Sequence, residues 1–139
     1  MTVARVAGRQ QVGPGWVPTL VQRLVAALAV DPATAATLRR AAAAYTERRA
    51  ALVAALAADG VEVTAPSGLN VWVPVPDEDA AVRALLADGW AVAAGARFRR
   101  RSSPAVRITV ARLPVDEAPA VAAALAAALH PDRTRSRAG

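Results

Sequence analysis

Gly68-Leu69-Asn70-Val71-Trp72-Val73-Pro74-Val75 alternates without a break. Leu69, Val71, Val73 and Val75 fall on one side of an extended chain and Asn70, Trp72 and Pro74 on the other, the period-two pattern of a strand with two different faces. One face belongs to a core. A second alternation, Ala105 to Ala111, turns Val106, Ile108 and Val110 inward and Arg107 and Thr109 outward.

Helical patterns surround these strands. Val12-Gly13-Pro14-Gly15-Trp16-Val17-Pro18 reads as a loop closed by a proline at a helix start. Leu20, Val21, Leu24, Val25 and Leu28 then share one helical face up to Val30. Asp31-Pro32 opens a long helix to about Asp59, with Leu38, Ala42, Tyr45, Leu52 and Leu56 at helical spacing, Gly60 as its stop, and Glu47, Arg48 and Arg49 facing solvent. Val61 and Val63 suggest a short strand. Pro76-Asp77-Glu78-Asp79 places acids where a helix dipole favours them, and Val82, Leu85 and Leu86 give that helix a buried face before Gly89. Trp90 to Ala94 reads as a strand, Arg97 to Arg101 as a basic loop, and Asp116 as the cap of a last helix carrying Val121, Leu125 and Leu129. Together these elements predict a two-layer α/β or α+β domain, with helices on one face of a small sheet.

Composition narrows the chemistry. At 139 residues the chain is one domain of ordinary size, and its 55% hydrophobic content is largely alanine, which supplies helix propensity more than buried volume. No cysteine is present, which removes disulfides, thiolate metal sites and cysteine nucleophiles. All 17 basic residues are arginine, so no mechanism that needs a lysine amine can run on these residues. His130 is the single histidine and stands beside a proline at a helix end. No group of His, Asp and Glu has metal-ligand spacing. The longest apolar run, Ala118 to Leu129, is too short to span a bilayer and no leader pattern precedes it, which predicts a cytoplasmic protein.

Arg107 is the candidate binding residue. A guanidinium in mid-strand can grip a carboxylate through two parallel hydrogen bonds, which suits an amino or keto acid. Arginine also stands at solvated sheet edges and in structural ion pairs, so both readings stay open. Asn70 and Trp72 can line a pocket beside it, or Trp72 can simply pack. Arg97 to Arg101 and the tail arginines Arg133, Arg135 and Arg137 could meet phosphates. Phe98 is the loop's single aromatic and no nucleic-acid-binding pattern is present, so a solvated charge run, or a rim that meets a partner, is the better reading.

Several pieces carry a resemblance: Val12 to Val17, Tyr45-Thr46-Glu47-Arg48-Arg49, Ser67-Gly68-Leu69-Asn70-Val71-Trp72, Gly95-Ala96-Arg97-Phe98 and Val106-Arg107-Ile108-Thr109. In this order, from about Arg5 to Leu129, they resemble the C-terminal part of a fold-type I, pyridoxal-phosphate-dependent aminotransferase of class I/II. Within that class they are nearest the aminotransferase-like half of MocR-type regulators of the GntR superfamily. The resemblance implies that residues 33–129 form the small domain, with the long helix connecting it to a large domain. Residues 1–32 would belong to the large-domain and dimer interface, and residues 130–139 would be a disordered basic tail. It also implies that Arg107 binds the substrate α-carboxylate and that residues 13–30 meet a protein partner or a second copy.

The family's pyridoxal phosphate rests on a Schiff-base lysine in the large domain, and this lysine-free chain offers none. The expectation is a truncated or detached C-terminal domain that binds no cofactor and is inactive by itself. It would keep the carboxylate-binding arginine but neither the chemistry nor the DNA-binding half. The alternative is a stand-alone module that completes a split aminotransferase or regulator, or that senses an amino acid. A gene remnant without function is a third reading.

Overall fold

The computed structural model describes residues 17–130, together with Val3, Arg5 and Gly8. The chain forms two compact units, Met1–Ala41 and Ala42–Gly139. In order, the elements are α1 (Thr19–Val30), α2 (Pro32–Ala58), β1 (Asn70–Pro74), α3 (Glu78–Ala87), β2 (Ala93–Ala94), β3 (Ala105–Thr109) and α4 (Ala118–Leu129). Short 3-10 turns occupy Gly95–Arg97, Val110–Arg112 and Val115–Glu117. The expectations for residues 9–16 and 131–139 lie outside the described residues.

In the first unit, α1 buries no residue. Its apolar face is real, but Leu20, Val21, Leu24, Val25 and Leu28 are all exposed. Asp31 separates α1 from α2 by turning extended and accepting the Thr34 N–H at 2.6 Å. Thr34, through its side chain first and its backbone N–H second, holds the Asp31 carboxyl below its ordinary value.

The second unit is built on a three-stranded antiparallel sheet of order β1-β3-β2, which makes the domain α+β. Its inward residues Val71, Val73, Val106 and Ile108 pack with Leu52 and Leu56 of α2, Ala81 and Leu85 of α3, and Val121, Ala122 and Leu125 of α4. The alternation along β1 and β3 is therefore what gives three helices a common apolar surface. Leu52, Leu56, Leu85 and Leu125 are fully buried and are the largest of the fully buried side chains.

Helix ends explain where two expected strands are missing or short. Gly60 and Gly89 both have positive φ, and the residue after each returns its N–H to the helix: Val61 to Leu56 O and Trp90 to Leu85 O, each at 2.8 Å. Val61 and Val63 consequently form no strand, since the Val61 N–H is already spent on the α2 cap. The strand expected over Trp90 to Ala94 shrinks to Ala93–Ala94 for the same reason.

Other expectations are corrected by packing. Leu86 is 61% exposed, because α3 turns Ala81 and Leu85 inward, and Leu38 on α2 is 63% exposed. Asp116 lies inside a 3-10 turn, and Glu117 takes the position before α4 with helical backbone and no side-chain cap. Glu47 is exposed, whereas Arg48 and Arg49 are only partly so. Arg48 donates to the Ala111 carbonyl, and Arg49 donates to the Gly68 carbonyl at 2.7 Å, so both grip one end of the β1–β3 ribbon.

Two acids share the start of α3 and divide its work. Asp77 caps it, accepting the N–H groups of Asp79 and Ala80 at 2.9 Å each. Glu78 turns inward and is 7% exposed. Its Oε2 accepts the Ala96 N–H at 2.7 Å, while Oε1 accepts the Ala105 N–H at 2.9 Å and the Arg99 Nε–H at 2.7 Å. Burial alone raises the Glu78 carboxyl. The donors from Ala105, Ala96 and Arg99 outweigh it and hold the group below its ordinary value of 4.5.

Two outcomes follow for stability. Leu85→Ala should cost about 2–5 kcal/mol, whereas Leu24→Ala should stay within about 0.5 kcal/mol, as read from urea midpoints. A carboxyl whose folded value is depressed contributes fully above its unfolded value and loses that contribution as pH falls through the folded one. Urea midpoints should therefore fall below about pH 4.5, and Glu78→Gln should flatten that acid limb.

Candidate functional site

The strand register decides which outward side chains meet. Val110 N–H donates to Leu69 O at 2.9 Å and Val75 N–H to Pro104 O at 3.0 Å. These bonds mark every second pair along β1 and β3, which leaves Trp72 and Arg107 as a directly opposed pair of the non-hydrogen-bonded kind. Side chains approach most closely at such pairs. On its other flank Arg107 pairs with Ala93 of β2, so Arg107 sits on the central strand and not at an edge.

Phe98 completes the surroundings of Arg107. Its ring lies under the guanidinium, with Cζ 3.7 Å from the ring centroid, a stacking geometry that arginine adopts readily. Arg107 is partly buried, and its Nε is shielded from solvent with no hydrogen-bond partner among the described residues. The ion pair found among those residues joins Arg99 and Glu78, not Arg107. A charged group on the middle strand, walled by Trp72 and Phe98 and matched by no acid among the described residues, retains its capacity to bind an anion.

Asn70 stands one outward position from Trp72, opposite Thr109. Thr109 Oγ1 donates to Asn70 Oδ1 at 2.7 Å, so part of the asparagine's capacity is spent within the sheet. The structure thus brings Trp72 and Arg107 together and puts Asn70 at the end of the same row. Trp90 packs partly buried against the core. Trp16 lies outside the described residues.

The 3-10 turn that delivers Phe98 is held closely. A Cβ at Gly95 would meet the Ala105 carbonyl oxygen at 2.5 Å and the Trp72 indole at 2.8 Å. Only glycine lets the turn come that near, and the indole edge rests on the space a side chain would fill. Phe98 and Arg99 both return their N–H groups to the Gly95 carbonyl at 2.8 Å, which closes the turn.

Two contributors were absent from the sequence reading. Glu78 looked like one of three equivalent helix-start acids, and Phe98 looked like the lone aromatic of a solvated loop. The basic loop held the signal for the first: five residues with four arginines, Arg97 to Arg101, suggest that one of them has an acidic partner. Arg99 is that residue, and it corrects the reading of the whole loop as a solvated run.

The residues do not fit a covalently held pyridoxal phosphate. The full sequence contains no lysine to form its Schiff base, and the side chains described beside Arg107 are the aromatic Phe98 and Trp72. No group of His, Cys, Asp and Glu among the described residues is arranged to hold a metal ion, and no described helix is long and apolar enough to cross a membrane.

Comparison with known proteins agrees with this architecture. The vitamin B6 salvage pathway transcriptional repressor PtsJ of Salmonella typhimurium (strain LT2) is 32% identical over 131 residues. That match covers 93% of this chain and 30% of the repressor's length. The family model for aminotransferase class I and II matches residues 4–125. Since that match takes in both strands of the Trp72–Arg107 pair and the turn that carries Phe98, the chain belongs to the aminotransferase class I and II family.

Proposed function

We propose that residues 33–129 act as the carboxylate-binding small domain of an aminotransferase-like regulator, and that Arg107 grips the α-carboxylate of an amino or keto acid. The observation that carries this reading is the state of Arg107: on the central strand, stacked on Phe98, opposite Trp72 and paired with no acid among the described residues. A planar guanidinium held this way can present two parallel N–H donors, the arrangement a carboxylate matches. Trp72 forms a wall beside the carboxylate, and Asn70 sits at the far end of the row, where its amide can meet a polar group of the ligand.

The family's chemistry depends on pyridoxal phosphate, which supplies an electron sink to the bound amino acid. These residues supply recognition and not the covalent anchor, so turnover requires a lysine-bearing segment outside them. Similarity to a transcriptional repressor favours a sensing role over metabolic turnover. The 30% coverage of that relative supports reading the chain as one part of a larger assembly.

A second reading is favoured by α1. Six large apolar residues from Leu20 to Val30 are exposed on a helix that buries nothing of its own. A surface of that kind suits a protein partner or a second copy, which makes the chain an interaction module that completes a split assembly.

Two measurements test these readings. In titrations with pyruvate and L-alanine followed by calorimetry, Arg107→Gln should abolish binding and Arg107→Lys should weaken it about tenfold; unchanged affinity in Arg107→Gln would refute the carboxylate role. In analytical ultracentrifugation, the wild type should associate with itself or with a lysine-bearing partner, and Leu24→Glu should be monomeric. A wild type that stays monomeric with and without such a partner would refute the second reading.

A further inference from the structure

Glu78 is the one buried charged residue among those described, and its place in the carboxylate site is indirect. Its two oxygens reach both ends of one loop. Oε2 takes the Ala96 N–H inside the 3-10 turn, and Oε1 takes the Ala105 N–H where β3 begins. β2 stops at Ala94, opposite Val106. The next N–H on that side of β3 belongs to Ala105, and the carboxylate replaces the strand partner it lacks. Arg99 adds a third bond to the same carboxylate from within the loop. Phe98 lies between two of these anchor points, Ala96 and Arg99, and its ring carries the Arg107 guanidinium.

We propose that Glu78 is a positioning residue for Arg107: by clamping residues 96–105 at both ends it fixes the Phe98 ring, and so sets the direction in which the guanidinium presents its donors. This rests on the carboxylate-binding reading above, but its geometry stands on the contacts alone. Glu78 touches neither Arg107 nor a ligand. It acts through the Ala96 and Ala105 N–H groups and the Arg99 guanidinium, which a neutral side chain cannot satisfy equally well, because a glutamine has one acceptor oxygen where the carboxylate uses two.

The test is nuclear magnetic resonance on the full chain, reading the Arg107 Nε–Hε proton, which the Phe98 ring shields. Phe98→Leu removes the shielding and calibrates the shift. Glu78→Gln should move the resonance most of the way to that position and weaken pyruvate binding about tenfold, as expected when a charge-assisted pair loses its alignment. Val61→Ala, a cavity variant outside the site, lowers stability and should leave the resonance in place. A folded Glu78→Gln whose Arg107 resonance matches the wild type would overturn the proposal. Should that variant not fold, amide exchange in the wild type reads the same clamp: matched protection at Ala96 and Ala105 supports it, and fast exchange at either overturns it. A wild type that ignores pyruvate while Glu78→Gln still moves the resonance would refute carboxylate binding and leave the seating role standing.

Discussion

Three donors from two stretches of chain converge on the Glu78 carboxylate, and the outward face of the sheet depends on that convergence. Ala96 lies inside the turn that delivers Phe98, Arg99 follows Phe98, and Ala105 opens β3. A buried carboxylate with a single partner is a liability in a small domain, because desolvation opposes its charge. With three donors aligned, the charge is retained and the loop between β2 and β3 is held at both ends. The lowered pKa of Glu78 and the stacking of Phe98 on Arg107 are two consequences of one arrangement.

The two faces of β1 and β3 divide the labour. Val71, Val73, Val106 and Ile108 give α2, α3 and α4 something to cover, and that burial supplies the drive for folding. Trp72 and Arg107 then point away from the core without choice, since successive side chains alternate. The proposed recognition is built on residues that the core excludes. Arg48 and Arg49 reinforce this from α2, binding the carbonyls of Ala111 and Gly68 at one end of the ribbon while Glu78 holds the loop at the other.

Features governed by neighbours in the chain were legible in the sequence. The alternation of Val71 to Val75, the cap at Asp31, the stops at Gly60 and Gly89 and the outward placing of Arg107 all follow from local spacing and are found in the structure, whereas Leu69, read as part of the core face, is exposed. Features governed by distant partners were not legible. The Glu78 partners lie 18, 21 and 27 residues away, and Arg48 reaches 63 residues to Ala111. No periodicity encodes such contacts. Val61 and Trp90 were misread for a related reason: a helix cap claimed the N–H that a strand would have used. The resemblance to class I/II aminotransferases supplied what spacing lacked, tying Gly95 to Phe98 and Val106 to Thr109 to one family pattern, which the match over residues 4–125 confirms at the level of the family.

The central claim is that one ionised carboxylate organises the wall on which Arg107 sits. Its most direct test is a pH titration of the Glu78 side-chain carboxyl carbon by nuclear magnetic resonance, with the backbone N–H signals of Ala96 and Ala105 followed in the same samples. The account predicts a midpoint below the ordinary 4.5, with both N–H signals shifting together through it. A midpoint at or above 4.5, or N–H signals indifferent to it, would contradict the account.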